Sequence, residues 1–249
     1  MTHETHVHLE QDGPIASLWL DGPAQRNALA RSTMTRLCEE LERLETCPDI
    51  AVVLLRGRGE SFCAGFDLGP VVDEPALLGE FIPGLSQLLK RMRQHRAVIV
   101  AGVQGAAIAG GCAIVSACDL VVASPGAKLG YPVHALGLSP VVSAPTLAQA
   151  VGDGAARSLL LSGRLISGTE AHQLGLATHL HDDPVKASGD LASTISGHSP
   201  QALEATKAWL NELDGSLDED RFDGPVAGSA PLATDAESMS LLRKRWMRR

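Results

Sequence analysis

Two uninterrupted apolar runs, residues 50–55 (Ile-Ala-Val-Val-Leu-Leu) and 97–103, constrain the fold of this 249-residue chain most. A strand with apolar side chains on both faces has to be covered on both faces, as in the middle of an α/β sheet. The flanking segments supply the cover. Residues 15–20 alternate apolar and polar, as a strand does, and Asp21-Gly22-Pro23 breaks it. From Asn27 to about Thr46, Leu29, Met34, Leu37, Leu41 and Leu44 recur at spacings of three to five, predicting a helix. Arg56-Gly57-Arg58-Gly59 ends the first apolar run. Residues from about 75 to 95 form the next helix, Gly110-Gly111 opens a short one to Ala117, and 120–123 is a further strand closed by Ser124-Pro125-Gly126. Strand and helix alternate, so the fold class is α/β.

After Pro140 the pattern becomes mostly helical, with segments at 155–162, 169–174 and 200–213. Residues 214–233, rich in Gly, Pro, Ser and Asp, read as a mobile linker. A short helix from about Asp235 leads to the basic end Arg243-Lys244-Arg245-Trp246-Met247-Arg248-Arg249. The organisation expected is a core over 1–195 followed by a helical, oligomerisation segment over 196–249. There is no internal repeat.

Hydrophobic residues make up 45% of the chain, enough for a sizeable core, while aromatics are only 3%, so Ala, Leu, Val and Ile must build it. A net charge of −8 argues against nucleic acid or an anionic membrane as partner, though not against a small anionic ligand held by local basic groups. Five cysteines without a CxxC pair fit reduced thiols in a cytoplasm. The start of the chain lacks a signal-peptide pattern, and no transmembrane helix is expected. His3, His6 and His8 read as a frayed end or the edge of a first strand rather than a metal site.

Two glycine-containing loops carry the chemistry. One runs Ser61-Phe62-Cys63-Ala64-Gly65-Phe66-Asp67-Leu68. The other runs from Gly105 through Ala109-Gly110-Gly111-Cys112 to Cys118-Asp119-Leu120. Two backbone N–H groups aimed at one point stabilise a developing oxyanion without reorganising during reaction. Close backbone approach favours glycine, and a helix N-terminus favours negative charge. Gly110-Gly111 at the head of an apolar helix meets that requirement, and Phe66 can supply the second N–H.

With Arg26-Asn27-Ala28-Leu29 upstream and Leu129-Gly130-Tyr131-Pro132, Leu136-Gly137-Leu138 and Leu161-Ser162-Gly163 downstream, these loops follow the order and rough spacing of a known family. From about Ile15 to Leu180 the chain resembles the crotonase (enoyl-CoA hydratase/isomerase) superfamily. The resemblance implies a spiral of ββα units with a helical C-terminal region, a homotrimer or dimer of trimers, and acyl-CoA thioesters as ligands. Coenzyme A would enter as part of the substrate, with no permanently bound cofactor and no metal. By position, the oxyanion donors would be the N–H groups of Phe66 and Gly110. Ala64, Gly65, Asp67 and Leu68 would line the adenine and pantetheine path, with Ala28, Gly111, Ala113 and Val133 around the substrate. Arg26 is either a contact to the CoA phosphates or an ordinary exposed arginine.

The resemblance fails where the family's hydratases carry two glutamates. Those positions are Ala113 and Val133, and a third site used by some isomerases is Val141. Neither Ala nor Val transfers a proton, so general acid–base contributions of roughly 10²–10⁴-fold per group are lost. Tyr131 and His134 are the remaining polar candidates. In an extended segment Tyr131 shares the face of Val133 and His134 does not. Each also has a structural reading: a phenol bonded to backbone, and a packed or surface imidazole. Cys63 and Cys112 read as buried small apolar residues. The expected function is acyl-CoA binding with enolate stabilisation and little conventional hydration. The alternatives are a non-catalytic acyl-CoA-binding protein, or a decarboxylase or thioester hydrolase of the same fold.

Overall fold

In the computed structural model of the chain, residues 4–74, 76–233 and 235–246 are described. His3, Pro75 and the last three residues of the basic end lie outside them. Nine strands form two sheets among the described residues. The larger has the order β1-β2-β3-β4-β6-β9. It comprises β1 (His6–Asp12), β2 (Ile15–Asp21), β3 (Val52–Gly57), β4 (Val98–Val103), β6 (Leu120–Ala123) and β9 (His179–Leu180). β1 and β2 are antiparallel, and every later pair in this sheet is parallel. The smaller sheet joins β5 (Ala106–Ile108), β7 (Lys128–Gly130) and β8 (Leu165–Ser167).

The two apolar runs are β3 and β4, at the centre of the larger sheet. Val53, Leu55, Ile99 and Ala101 face the main core, which includes Leu37 and Leu41 of α1 (Arg31–Glu45) and Leu85 and Leu89 of α3 (Ala76–Gln94). Val52, Leu54, Val98 and Val100 face a second cluster closed by Ala192 of α7 (Pro184–Ser196). Double-sided burial explains why these strands read as unbroken apolar runs. Between α1 and α3 lies the short α2 (Gly69–Asp73), and α4 (Gly110–Ala117) is buried along its whole length. His6 and His8 sit on β1 at the edge of the sheet, where His8 Nε2 approaches Asp21 at 3.3 Å.

Three expectations are corrected. The helix drawn from Asn27 begins only at Arg31. Arg26 and Asn27 take left-handed backbone, with φ of 53° and 56°. Asn27 is fully buried, and its amide donates to the carbonyls of Arg58, Ser61 and Phe62 at 2.9, 2.8 and 3.2 Å. Pinning to the exit of β3 outcompetes helix propensity here. The segment drawn as a linker instead contains α9 (Asp220–Ala233) with two internal prolines. Phe222 is its anchor: it is buried in the main core, and Ser86 Oγ of α3 donates to its carbonyl at 2.7 Å. Finally, the helix drawn from 155 is the second half of α5 (Ala144–Ser162), which is broken at Gly152 by a φ of 77°.

The remaining helices are α6 (Gly168–Leu174), α8 (Pro200–Asp214) and α10 (Ala236–Trp246). Lys207 ties α8 to the core, its ammonium 2.6 Å from Asp119 and donating to Ala97 O at 2.9 Å and Met92 O at 3.3 Å.

Candidate functional site

The two loops meet back to back. Residues 62–64 are held by backbone bonds on both sides: Phe62 N–H to Gln104 O, Cys63 N–H to Ala106 O and Ala64 N–H to Arg26 O, each 2.9 Å. Leu29 N–H donates to Gly65 O at 2.7 Å and Leu29 O accepts from Asp67 N–H at 2.8 Å, so Gly65 and Asp67 are fixed. Between them, no hydrogen bond among the described residues takes up the N–H of Phe66.

On the facing loop Ala109 donates to Gly130 O at 2.8 Å and accepts from Ala113 N–H at 2.9 Å. These bonds hold a non-glycine residue at φ 50°, ψ −111°. Such backbone costs of order 1–3 kcal/mol and persists only where the surroundings over-determine it. Gly110 then opens α4, a buried helix start without a side-chain cap, and its N–H is likewise unclaimed among the described residues. Gly111 and Cys112 share this helix start, and orphan donors of this kind are met by water, a side chain or an anionic ligand.

Glycine is required by approach as well as by φ. At Gly65 (φ +88°) a Cβ would stand 2.8 Å from Ile108 O and 3.5 Å from Gly110 N. At Gly111 it would stand 2.4 Å from Cys63 O.

Phe66 opens onto a cleft of about 410 Å³, whose lining includes Arg26, Ala28, Ala64, Asp67 and Leu68. Six of the residues expected at the site therefore share one wall. Leu136 and Leu242 line the cleft too, with Ala24, Gln25, Ala106 and Ile108. Sequence reasoning missed both leucines, and Leu242 left no local signal, because α10 folds back from the far end of the chain. Ser238 Oγ of α10 fixes that return by donating to Gly137 O at 2.8 Å. Asp67 works locally: its carboxylate accepts from Gly69 N–H at 3.1 Å at the head of α2. Arg26 is exposed at the cleft edge.

Ala113 and Val133, which the family resemblance aligns with the hydratase glutamates, are not among the residues that line this cleft. Ala113 is fully buried in the first turn of α4, and Val133 is half-buried. The segment through Val133 is not extended, which corrects the face assignment. Val133 has helical φ and ψ and leads into a 3₁₀ turn, His134–Leu136. Tyr131 points into the core instead of sharing a cleft face with Val133, and its side chain is 1% exposed. Its hydroxyl lies near Cys112, Ser116 and Ser143 without a well-formed hydrogen bond to any of them. Burial, reinforced by Cys112, raises the phenol pKa well above its usual value. Burial also pushes the Cys63 and Cys112 thiols up to about 12, so both stay protonated and unreactive at neutral pH. His134 is exposed and lines a separate groove.

Among the described residues no group of three or more His, Cys, Asp or Glu could hold a metal ion. No described helix is long and apolar enough to cross a membrane.

Comparison with known proteins agrees with this fold. A Thermus thermophilus chain is 36% identical over 219 residues, covering 85% of this chain and 86% of its own length. The 2,3-dehydroadipyl-CoA hydratase of Escherichia coli is 34% identical over 233 residues, covering 92% and 86%. The crystal structure of an enoyl-CoA hydratase/isomerase from Mycobacterium paratuberculosis superposes with a TM-score of 0.89 at 26% identity, covering 98% of this chain and all of that one. The sequence model described as enoyl-CoA hydratase/isomerase matches residues 10–214, a span that contains both loops. With its crotonase-type α/β fold, the chain belongs to the enoyl-CoA hydratase/isomerase family.

Proposed function

We propose that this protein binds acyl-CoA thioesters with the carbonyl oxygen between the N–H groups of Phe66 and Gly110. It stabilises the thioester enolate there without a paired-glutamate acid and base. The observation that carries the reading is the unclaimed N–H of Phe66 on a cleft whose ionisable lining is Arg26 and Asp67, with the unclaimed N–H of Gly110 at the helix start on the facing loop. Ala64, Gly65, Asp67 and Leu68 form the path of the CoA moiety, with Arg26 at its phosphates. Gly111, Ala113 and Val133 form the wall behind the acyl group. Coenzyme A arrives with the substrate, and no permanently bound cofactor takes part.

Two outcomes are open to a bound thioester. One is storage or delivery without turnover, supported by the depth of Tyr131 and the outward placement of His134. The other is decarboxylation of a malonyl-type thioester, in which departing CO₂ leaves its electron pair on the enolate and no base is needed. The assembly is a homotrimer or dimer of trimers in the cytoplasm, joined through residues 196–249.

Calorimetry with acetyl-CoA, crotonyl-CoA and free crotonate tests the binding. Both thioesters bind and the free acid does not. Crotonyl-CoA hydration is negligible, and Ala113→Glu combined with Val133→Glu restores part of it, whereas either alone does little because the two groups act on one water. Absence of thioester binding, or efficient hydration by the unmutated chain, defeats the reading.

A further inference from the structure

We propose that a second groove, on the other side of the 3₁₀ turn from the cleft, receives the far end of the acyl chain and selects chains that end in a carboxylate. The inference rests on the acyl-CoA reading above. The turn His134–Leu136 divides the two spaces: Leu136 lines the cleft beside Phe66, and His134 lines the groove. The oxyanion loop is bonded to the strand that leads into this turn, Ala109 N–H to Gly130 O at 2.8 Å. Helix α4 is bonded to the groove's other wall, with Ser116 Oγ 2.8 Å from Thr146 Oγ1 of α5. Both spaces border the segment from Val133 through the turn, and the proposed acyl path from the Phe66–Gly110 pair crosses it at the half-buried Val133.

The groove has the chemistry of an amphipathic end group. Its volume of about 500 Å³ lies in the range of small-molecule sites, roughly 300–1,000 Å³. Its apolar wall is built largely of small side chains, Val141, Ala144, Ala148 and Ala156, with Leu160. Arg157 stands at its rim, and its guanidinium makes no hydrogen bond or ion pair among the described residues. By contrast, Arg164, seven residues on, is 2.6 Å from Glu170. His134 also lines the groove with its ring unbonded among the described residues. An unpaired guanidinium and an imidazole on the walls of one groove match a carboxylate, which accepts two parallel bonds from the planar fork. Asp153 lines the same groove without pairing to Arg157, and it opposes the anion. Removing its charge is therefore expected to tighten the same ligand.

The test is calorimetry with acetyl-CoA and two six-carbon acyl-CoAs, one ending in a carboxylate and one in a methyl group. The unmutated protein binds the carboxylate-ended thioester about tenfold more tightly than the methyl-ended one, a gap of about 1.4 kcal/mol. Arg157→Gln abolishes that preference and leaves acetyl-CoA affinity unchanged, and Asp153→Asn widens it. Ala148→Leu fills the groove, weakening both six-carbon ligands and sparing acetyl-CoA. Acetyl-CoA binding with no end-group preference, or a preference that survives Arg157→Gln, overturns the inference alone. Failure of all three thioesters to bind overturns the acyl-CoA reading and the inference together.

Discussion

At the scale of single residues, two buried polar side chains behave oppositely. Tyr131 was the strongest proton-transfer candidate in the sequence because it is the only tyrosine and stands two residues before Val133. Its hydroxyl is instead buried in the core without a well-formed bond. An unsatisfied buried hydroxyl costs about 1–3 kcal/mol. Tyr131→Phe is therefore expected to keep or raise stability by about 1 kcal/mol and to leave acyl-CoA affinity within about twofold. Denaturant unfolding that showed a loss above about 1 kcal/mol would mean that the hydroxyl is bonded in solution. His95, also buried, is fully bonded: Nδ1 accepts from Ala97 N–H at 3.1 Å, leaving Nε2–H to donate to Leu41 O at 3.2 Å. That tautomer is neutral. Burial, helped by Lys207, lowers its pKa from 6.5 to about 4. Glu45 lies 3.3 Å from Nε2 and pulls the other way, but its carboxylate is partly exposed and screened, so burial prevails. A depressed histidine pKa means that the unfolded chain binds the proton first. The contribution is thus fully present above pH 6.5 and is lost as the pH falls toward 4, at most about 3 kcal/mol. Unfolding at pH 7 and pH 4.5 should show a smaller acid loss for His95→Gln than for the unmutated chain. Equal losses would exclude His95 as the source.

At the scale of elements, the first half of the chain was legible because its strands carry their environment in their composition. β3 and β4 are buried on both faces, so no alternation is needed to recognise them. The start of α1 was not legible, because the competing bonds of Asn27 reach 31 to 35 residues ahead in sequence. Helix α9 was hidden for a related reason. Its Gly, Pro and Ser content is that of a linker, and the packing of Phe222 against α3 decides it. Helix α8 was visible from its pattern, but the polar tether that docks it was not. Lys207 is 5% exposed, and its ammonium contacts Asp119 and two backbone carbonyls. Asp119 is also bonded to Ile99 N–H at 2.7 Å, so the carboxylate joins β4, the end of α4 and α8. Removing one partner of a buried pair strands the other. Lys207→Met should therefore destabilise by about 3 kcal/mol, while an exposed lysine such as Lys186, paired with Asp190 on α7, should cost under about 1 kcal/mol on replacement by Met. Equal, small effects in denaturant unfolding would show that α8 is held by its apolar contacts alone.

At the scale of the whole molecule, the site is legible where it is made of backbone and obscure where it is made of distant side chains. Phe66 and Gly110 stand out in the sequence because an oxyanion hole requires glycines and a helix start, and both leave marks there. Leu136 and Leu242 were not, because a leucine that closes a cleft looks like any core leucine. The same scale decides how the chain assembles. Trp209 and Leu213 stand four residues apart on α8 and are 67% and 72% exposed, with Leu210 beside them and Leu217 just beyond the helix. Single exposed apolar residues are ordinary, but four along one helix end form a patch that water disfavours. Covering a Trp or Leu side chain stabilises by about 1.5–3 kcal/mol each, so a self-association that buries this patch gains several kcal/mol per subunit. The patch lies in the segment assigned to oligomerisation and away from the Phe66 cleft, since none of these residues lines it. The expected result in sedimentation equilibrium is a trimer or hexamer for the unmutated protein and a monomer for Trp209→Ser combined with Leu213→Asp. The variant's subunits should keep their circular dichroism, because both side chains are exposed in the single chain. If the double variant sediments as the parent does, α8 is not the interface. If the unmutated chain is monomeric at micromolar concentration, the trimer itself is wrong.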